Sequence, residues 1–148
     1  MFRSALLADY GRGLGTRLVL DPPEFDPPEL AQRYAAMDIF CYPSLAERGE
    51  TFGVSVAEAM AAGAAPVVSN LACFNELVRD GETGLIFDHR GSGAEERLAH
   101  ALARLLSDSA LRGTIAQRAQ EHVERYDYPR SARTLLEELA RLVARERK

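Results

Sequence analysis

Lysine is almost absent: Lys148 is the only one, and every other basic side chain is arginine. Acidic residues outnumber basic ones, and the net charge of -4 argues against nucleic acid as the main partner. Cysteine is scarce too. Cys41 and Cys73 stand far apart and in no metal-ligand spacing, and Cys41 sits in the apolar run Ile39-Phe40-Cys41-Tyr42, where a small buried thiol is the default. That points away from a disulfide or a zinc site and toward a reducing cytoplasm. No apolar run approaches the ~20 residues needed to cross a bilayer, and the first residues carry no secretory pattern. The basic C-terminal cluster (Arg141, Arg145, Arg147, Lys148) reads as a solvated helix end favoured by the dipole, with an anionic membrane surface as the other reading.

What is present is ordinary globular material: 148 residues, 47% apolar and 27% charged, enough for one domain with a continuous core. Residues 3–10 read as a helix stopped by Gly11, Gly13 and Gly15, a turn and not a phosphate loop because no strand leads in and no helix follows. Thr16–Leu20 reads as a short buried strand. The four prolines between Asp21 and Pro28 impose a loop. A short helix over Glu29–Met37 presents Leu30, Tyr34 and Met37 on one face. Apolar strands are expected at Asp38–Tyr42, Ala65–Ser69 and Thr83–Phe87, with a short helix at Asn75–Val78.

From residue 94 onward the pattern is purely helical. The expected inner faces are Leu98, Ala101, Leu102, Leu105 and Leu106, then Leu111, Ile115, Ala119 and Val123 after an Asp108 cap, then Ala132, Leu135, Leu136, Leu139 and Val143 after Pro129. The expected fold is α/β: a Rossmann-like three-layer domain with a four-stranded parallel sheet over about 1–88, ending in C-terminal helices over about 94–146. Ligands of such sheets bind beyond the carboxyl ends of the strands. Pro43 to Gly53 and Ser69 to Glu76 both leave such ends.

The first of these segments leads into the most distinctive stretch of the chain. Glu50 and Glu58 stand eight positions apart around a Phe52-Gly53 step, and the alanine-rich run that follows ends at Gly63. Thr51 is expected to cap a helix beginning near Phe52 or Gly53, with Gly63 as its stop. Free N–H groups and the positive end of the dipole then lie between two carboxylates, an anion site flanked by hydrogen-bond acceptors. Eight helical steps span about 12 Å, more if Glu50 lies in an extended loop.

This segment resembles the E-x7-E motif of retaining, double-Rossmann (B-type) glycosyltransferases of group 1, in their C-terminal donor-binding domain. The resemblance covers about residues 5 to 140 and also rests on Pro43-Ser44, Pro66-Val67-Val68, Glu76 after a small-residue loop, and Asp80 to Leu85. It implies that Glu50 is catalytic and faces the donor sugar. It implies further that Glu58 accepts hydrogen bonds from the ribose, and that Ser44, Thr51, Phe52, Gly53, Val54 and Glu76 complete the donor site. No metal ligand set and no cofactor are expected; the nucleotide-sugar is a substrate. None of His89, His100 and His122 is assigned a catalytic role.

The chain departs from the family pattern in three places. The strand, glycine-arginine loop and lysine-bearing helix that normally open the donor domain are not matched, nor is the N-terminal acceptor-binding domain. Extra residues (Leu45–Gly49) admit Glu47 in place of Glu50 as the carboxylate facing the sugar. Cys73 and Phe74 stand where the family often has a glycine-rich loop. The expectation is therefore a single partial domain, residues 1–148, of a cytoplasmic hexosyltransferase-like enzyme, inactive alone. Its expected partners are a nucleotide-sugar, a separate acceptor domain, and a peripheral-membrane or lipid-linked acceptor. The rival reading is a non-catalytic nucleotide-sugar-binding module or subunit.

Overall fold

The computed structural model describes residue 19 and residues 21–146. The expected helix at 3–10 and the strand at 16–20 lie outside the described residues. The described chain runs α1 (Pro27–Ala35), β1 (Ile39–Tyr42), α2 (Val54–Ala61), β2 (Ala65–Ser69), a 3-10 turn (Ala72–Phe74), β3 (Leu85–Phe87), α3 (Ala94–Ser107), α4 (Ser109–Val123), a second 3-10 turn (Glu124–Tyr126) and α5 (Tyr128–Glu146).

Among the described residues the sheet has three parallel strands in the order β1-β2-β3. Ile39 pairs with Ala65 and Tyr42 with Val68, while Val67 pairs with Leu85 and Ser69 with Phe87. Every residue of β2 is buried, as expected of a central strand covered on both faces. Its side chains divide between two cores. Val68 joins Val56 and Met60 of α2, Phe74, Leu77, and Ala119 and Val123 of α4 on one face. Ala65 and Val67 join Leu85, Phe87, Leu105 of α3 and Ile115 on the other.

α2 ends as the sequence predicts. Gly63 takes a left-handed φ of 92°, its N–H donates to the Met60 carbonyl at 3.0 Å, and the Ala64 N–H reaches Ala59 at 3.0 Å. This is the paired closure that a C-terminal glycine permits. The Gln120 amide of α4 then donates to the Ala61 carbonyl at 2.9 Å. Asp108 caps α4 as expected, its carboxylate accepting the Leu111 N–H at 2.9 Å.

Five expectations are corrected. α1 begins at Pro27 and ends at Ala35, so Met37 falls past it and is exposed. Thr51 does not cap α2; Gly53 is the cap residue, with φ 79° and no side-chain cap bond. Asn75–Val78 is a turn after a 3-10 segment, because the Leu77 and Val78 N–H groups both return to the Phe74 carbonyl (3.0 and 2.7 Å). Leu106 is exposed although Leu105 is fully buried. Leu135, Leu136, Leu139 and Val143 of α5 are likewise exposed, so the stripe there is an outward face and not an inner one.

Candidate functional site

The carboxyl end of β1 and the first turn of α2 bring together most of the residues singled out above. Glu50, partly buried, accepts a hydrogen bond from the Tyr42 hydroxyl at 3.0 Å. That bond, then burial, then the negative charge of Glu50 push the Tyr42 phenol above its ordinary value. The Tyr42 ring meets Phe74 edge-on, centroids 5.8 Å apart, so the strand end, the Glu50 loop and the turn after β2 form one aromatic junction. Cys73 lies there too, its thiol raised first by burial and then by the charge of Glu50.

Gly53 is where a side chain has no room. A Cβ there would lie 2.6 Å from Phe74 Cε1, and the left-handed φ disfavours any L side chain. The Gly53 carbonyl accepts the Val56 and Ala57 N–H groups at 2.9 and 3.1 Å. The N–H groups of Val54 and Ser55 have no acceptor inside the helix and stand at its positive end. Thr51 and Val54 are exposed beside this turn, and Phe52 is partly buried.

Glu58 is exposed on α2 and stands beside Tyr34. Burial, then the charge of Glu58 and a hydrogen bond to its carboxylate, raise the Tyr34 phenol. Glu58 lines a groove of about 660 Å³ together with Phe52, Val54, Gln120, Tyr126 and Tyr128, whereas Glu50 is not among its lining residues. Glu50 bonds Tyr42 and Glu58 bonds Tyr34, and the charges of the two tyrosines interact.

The remaining candidates divide. Ser44 Oγ accepts the Ala46 N–H at 3.3 Å, a turn-forming bond. Ser69 is fully buried, and its hydroxyl has no hydrogen-bond partner among the described residues. The Glu76 side chain is exposed, while its carbonyl accepts from the Tyr126 hydroxyl at 3.0 Å and lies 3.1 Å from His122 Nε2. His122 is buried.

Glu47 is bound elsewhere. Its carboxylate meets Arg90 Nε and His89 Nε2, both at 2.9 Å. These partners, Arg90 before His89, hold it below the ordinary carboxylate value. Asp80 to Leu85 serves packing: Asp80 Oδ1 accepts the Ile86 N–H at 2.9 Å, and a Cβ on Gly84 would lie 2.5 Å from Val78 Cγ1.

Tyr42, Tyr34, Phe74, His122 and Tyr126 were not read from the sequence as site residues. Tyr42 carried a usable signal as the last residue of an apolar strand before Pro43, and Phe74 as a departure from the family's glycine-rich loop. Among the described residues no three His, Cys, Asp or Glu side chains converge as metal ligands, and no helix is long and apolar enough to cross a membrane.

Comparison with known proteins fits this geometry. The chain is 38% identical over 98 residues to the phosphatidyl-myo-inositol mannosyltransferase of Mycolicibacterium smegmatis, covering 66% of this chain and 24% of that enzyme. It thus spans about a quarter of the length of that relative. Among solved structures it superposes with a TM-score of 0.71 and 28% identity on the C-terminal domain of a group 1 family glycosyl transferase (LpcC) from Francisella tularensis, over 86% of this chain and 63% of that one. Anabaena Alr3699/HepE, solved with UDP and glucose, gives 0.78 and 26% over 94% of this chain and 36% of its own. The model of the family "Glycosyl transferases group 1" matches residues 19–122, which include the Glu50–Gly63 segment and the whole described sheet. On that match, the parallel Rossmann-like sheet and the helices closing it, the chain belongs to the group 1 glycosyltransferases.

Proposed function

We propose that residues 1–148 are the C-terminal donor-binding domain of a retaining glycosyltransferase, which transfers a sugar from a nucleotide-sugar to an acceptor bound on a separate domain. The observation that carries this is the start of α2: an uncapped helix end, opened by a glycine with no room for a side chain, lies between Glu50 and Glu58. Glu50 orients the donor sugar, fixed in place by the Tyr42 hydroxyl. Glu58 accepts hydrogen bonds from the ribose hydroxyls. Thr51, Phe52 and Gly53 meet sugar and diphosphate through backbone, and Ser44 and Glu76 bound the pocket.

Bond breaking at the anomeric carbon leaves negative charge on the departing diphosphate. The N–H groups of Val54 and Ser55 and the helix dipole stabilise that charge as it develops. The nucleotide sugar is consumed as a substrate, and the reading assigns neither a resident cofactor nor a metal. UDP-glucose is the first donor to test, since Anabaena HepE has been solved with UDP and glucose. Donor binding without turnover is what the proposal assigns to this domain taken alone. A lipid-linked acceptor and a cytoplasmic setting belong to the same proposal.

Titration calorimetry with UDP-glucose, GDP-mannose and ADP-glucose, on wild type and on Glu58→Ala, tests the reading. One donor is expected to bind wild type, with affinity reduced about tenfold or more in the variant, the scale of a lost charge-assisted hydrogen bond. Absence of binding by all three to the wild-type chain sinks it.

A further inference from the structure

Tyr126 stands in the 3-10 turn that follows α4, outside the residues that the donor reading uses, yet it touches both segments that carry them. Its ring meets Phe52 edge-on, centroids 5.1 Å apart at 68°. Its hydroxyl donates to the Glu76 carbonyl at 3.0 Å. His122 Nε2, one turn earlier on α4, lies 3.1 Å from the same oxygen and donates to it when the proton is on that nitrogen. Phe52 belongs to the loop leaving β1, between Glu50 and Gly53, and Glu76 to the turn that follows β2. A loop held only by its own backbone samples many geometries, whereas one tied to a packed helix keeps a single one.

We propose that Tyr126 is a positioning residue for nucleotide-sugar binding: from the helical half of the domain it fixes the Glu50–Val54 loop and the Glu76 turn in one mutual geometry. The inference rests on the donor-site reading above. Ring and hydroxyl make separable contacts. Tyr126→Phe keeps the ring against Phe52 and removes one donor from the Glu76 carbonyl; Tyr126→Leu removes both.

The test pairs amide hydrogen exchange over residues 50–56 and 74–78 with calorimetry against UDP-glucose, GDP-mannose and ADP-glucose, on the full chain. Tyr126→Phe is expected to speed exchange in 74–78 alone, leave the melting temperature near wild type, and weaken the bound donor about fivefold, the scale of one neutral hydrogen bond. Tyr126→Leu is expected to speed exchange in both segments and weaken binding further. Should Tyr126→Leu fail to fold, Phe52→Leu removes the ring contact from the other side and is expected to loosen 50–56 while sparing 74–78. Wild-type exchange in both segments of Tyr126→Leu, or of 50–56 in Phe52→Leu, overturns the proposal, as does faster exchange with unchanged donor affinity. A wild-type chain that binds none of the three donors sinks the donor reading instead, and exchange still decides whether Tyr126 ties the two segments.

Discussion

A methyl group placed on Gly53 would lie 2.6 Å from Cε1 of Phe74, closer than carbon atoms approach without displacement. The contact explains how the start of α2 stays open: the Phe74 ring, itself fully buried, occupies the space beside the cap. Gly63, at the other end of the same helix, has a similar left-handed φ (92° against 79°) but open space around it. Comparing Gly53→Ala with Gly63→Ala in urea unfolding therefore separates backbone strain from steric clash. Gly63→Ala is expected to cost about 1–2 kcal/mol from strain alone, and Gly53→Ala at least about 1 kcal/mol more. Equal costs would mean that the Phe74 ring turns aside freely and does not shape the site.

The hydrogen bond from Tyr42 to Glu50 makes a prediction with a definite sign. Beside a charged carboxylate the neutral phenol is favoured, so its stabilising effect is present below the ordinary tyrosine value of 10.0 and is lost as pH rises through the raised one. Tyr34, raised by burial and by Glu58, behaves alike. An ultraviolet titration of tyrosinate should therefore show late-ionising tyrosines above pH 10.0. Tyr42→Phe should remove one of them, and Glu50→Gln should bring that one earlier while leaving the Tyr34 step in place. A titration unchanged by Glu50→Gln would break the assignment.

On the opposite side of the same loop, Glu47 is held by Arg90 and His89, and the shift has the other sign. A carboxylate lowered by its partners contributes above its unfolded value of 4.5 and loses that contribution as pH falls through the folded one. NMR titration of the Glu47 carboxyl should place its midpoint below 4.5 in the wild type and move it upward, toward but not to that value while His89 remains, in Arg90→Gln. The pair is exposed, so global stability is expected to change little while the 45–49 loop loosens.

The alternation of apolar and polar segments was enough to locate β1 and β2 to within a residue. The continuous runs Ile39–Tyr42 and Ala65–Ser69 read as strands covered on both faces; β2 is buried throughout, whereas all four residues of β1 are only partly buried. The alanine-rich run closed by Gly63 likewise located α2 and its end. The start of that helix was misread, because Thr51 is a good local cap and the competing influence, the Phe74 ring, comes from more than twenty positions away in the chain. His122 and Tyr126 were illegible for the same reason. Their partners, Glu76 and Phe52, are distant in sequence, and a carbonyl acceptor leaves no trace in residue identity. The stripe on α5 was legible as amphipathic, but periodicity reports only that a face is apolar, not that it is covered.

Leu105 and Leu106 put that last point to a direct test. Both were read as part of one apolar stripe, yet Leu105 is fully buried against Val67, Leu85 and Ile115 while Leu106 is 69% exposed. Burial decides the cost of truncation, since only Leu105 leaves a cavity lined by atoms that cannot close on it. Leu105→Ala is expected to lower unfolding free energy by about 2–5 kcal/mol, and Leu106→Ala by no more than about 0.5 kcal/mol. On α5, Leu136 is 67% exposed and Leu135 60%, so Leu136→Gln should behave like Leu106→Ala if the face is solvated in solution. A cost at Leu136 that grows with protein concentration would show instead that copies of the chain cover this face, because a contact between copies strengthens by mass action and an intramolecular one does not. Urea unfolding of the three variants at two protein concentrations distinguishes the cases.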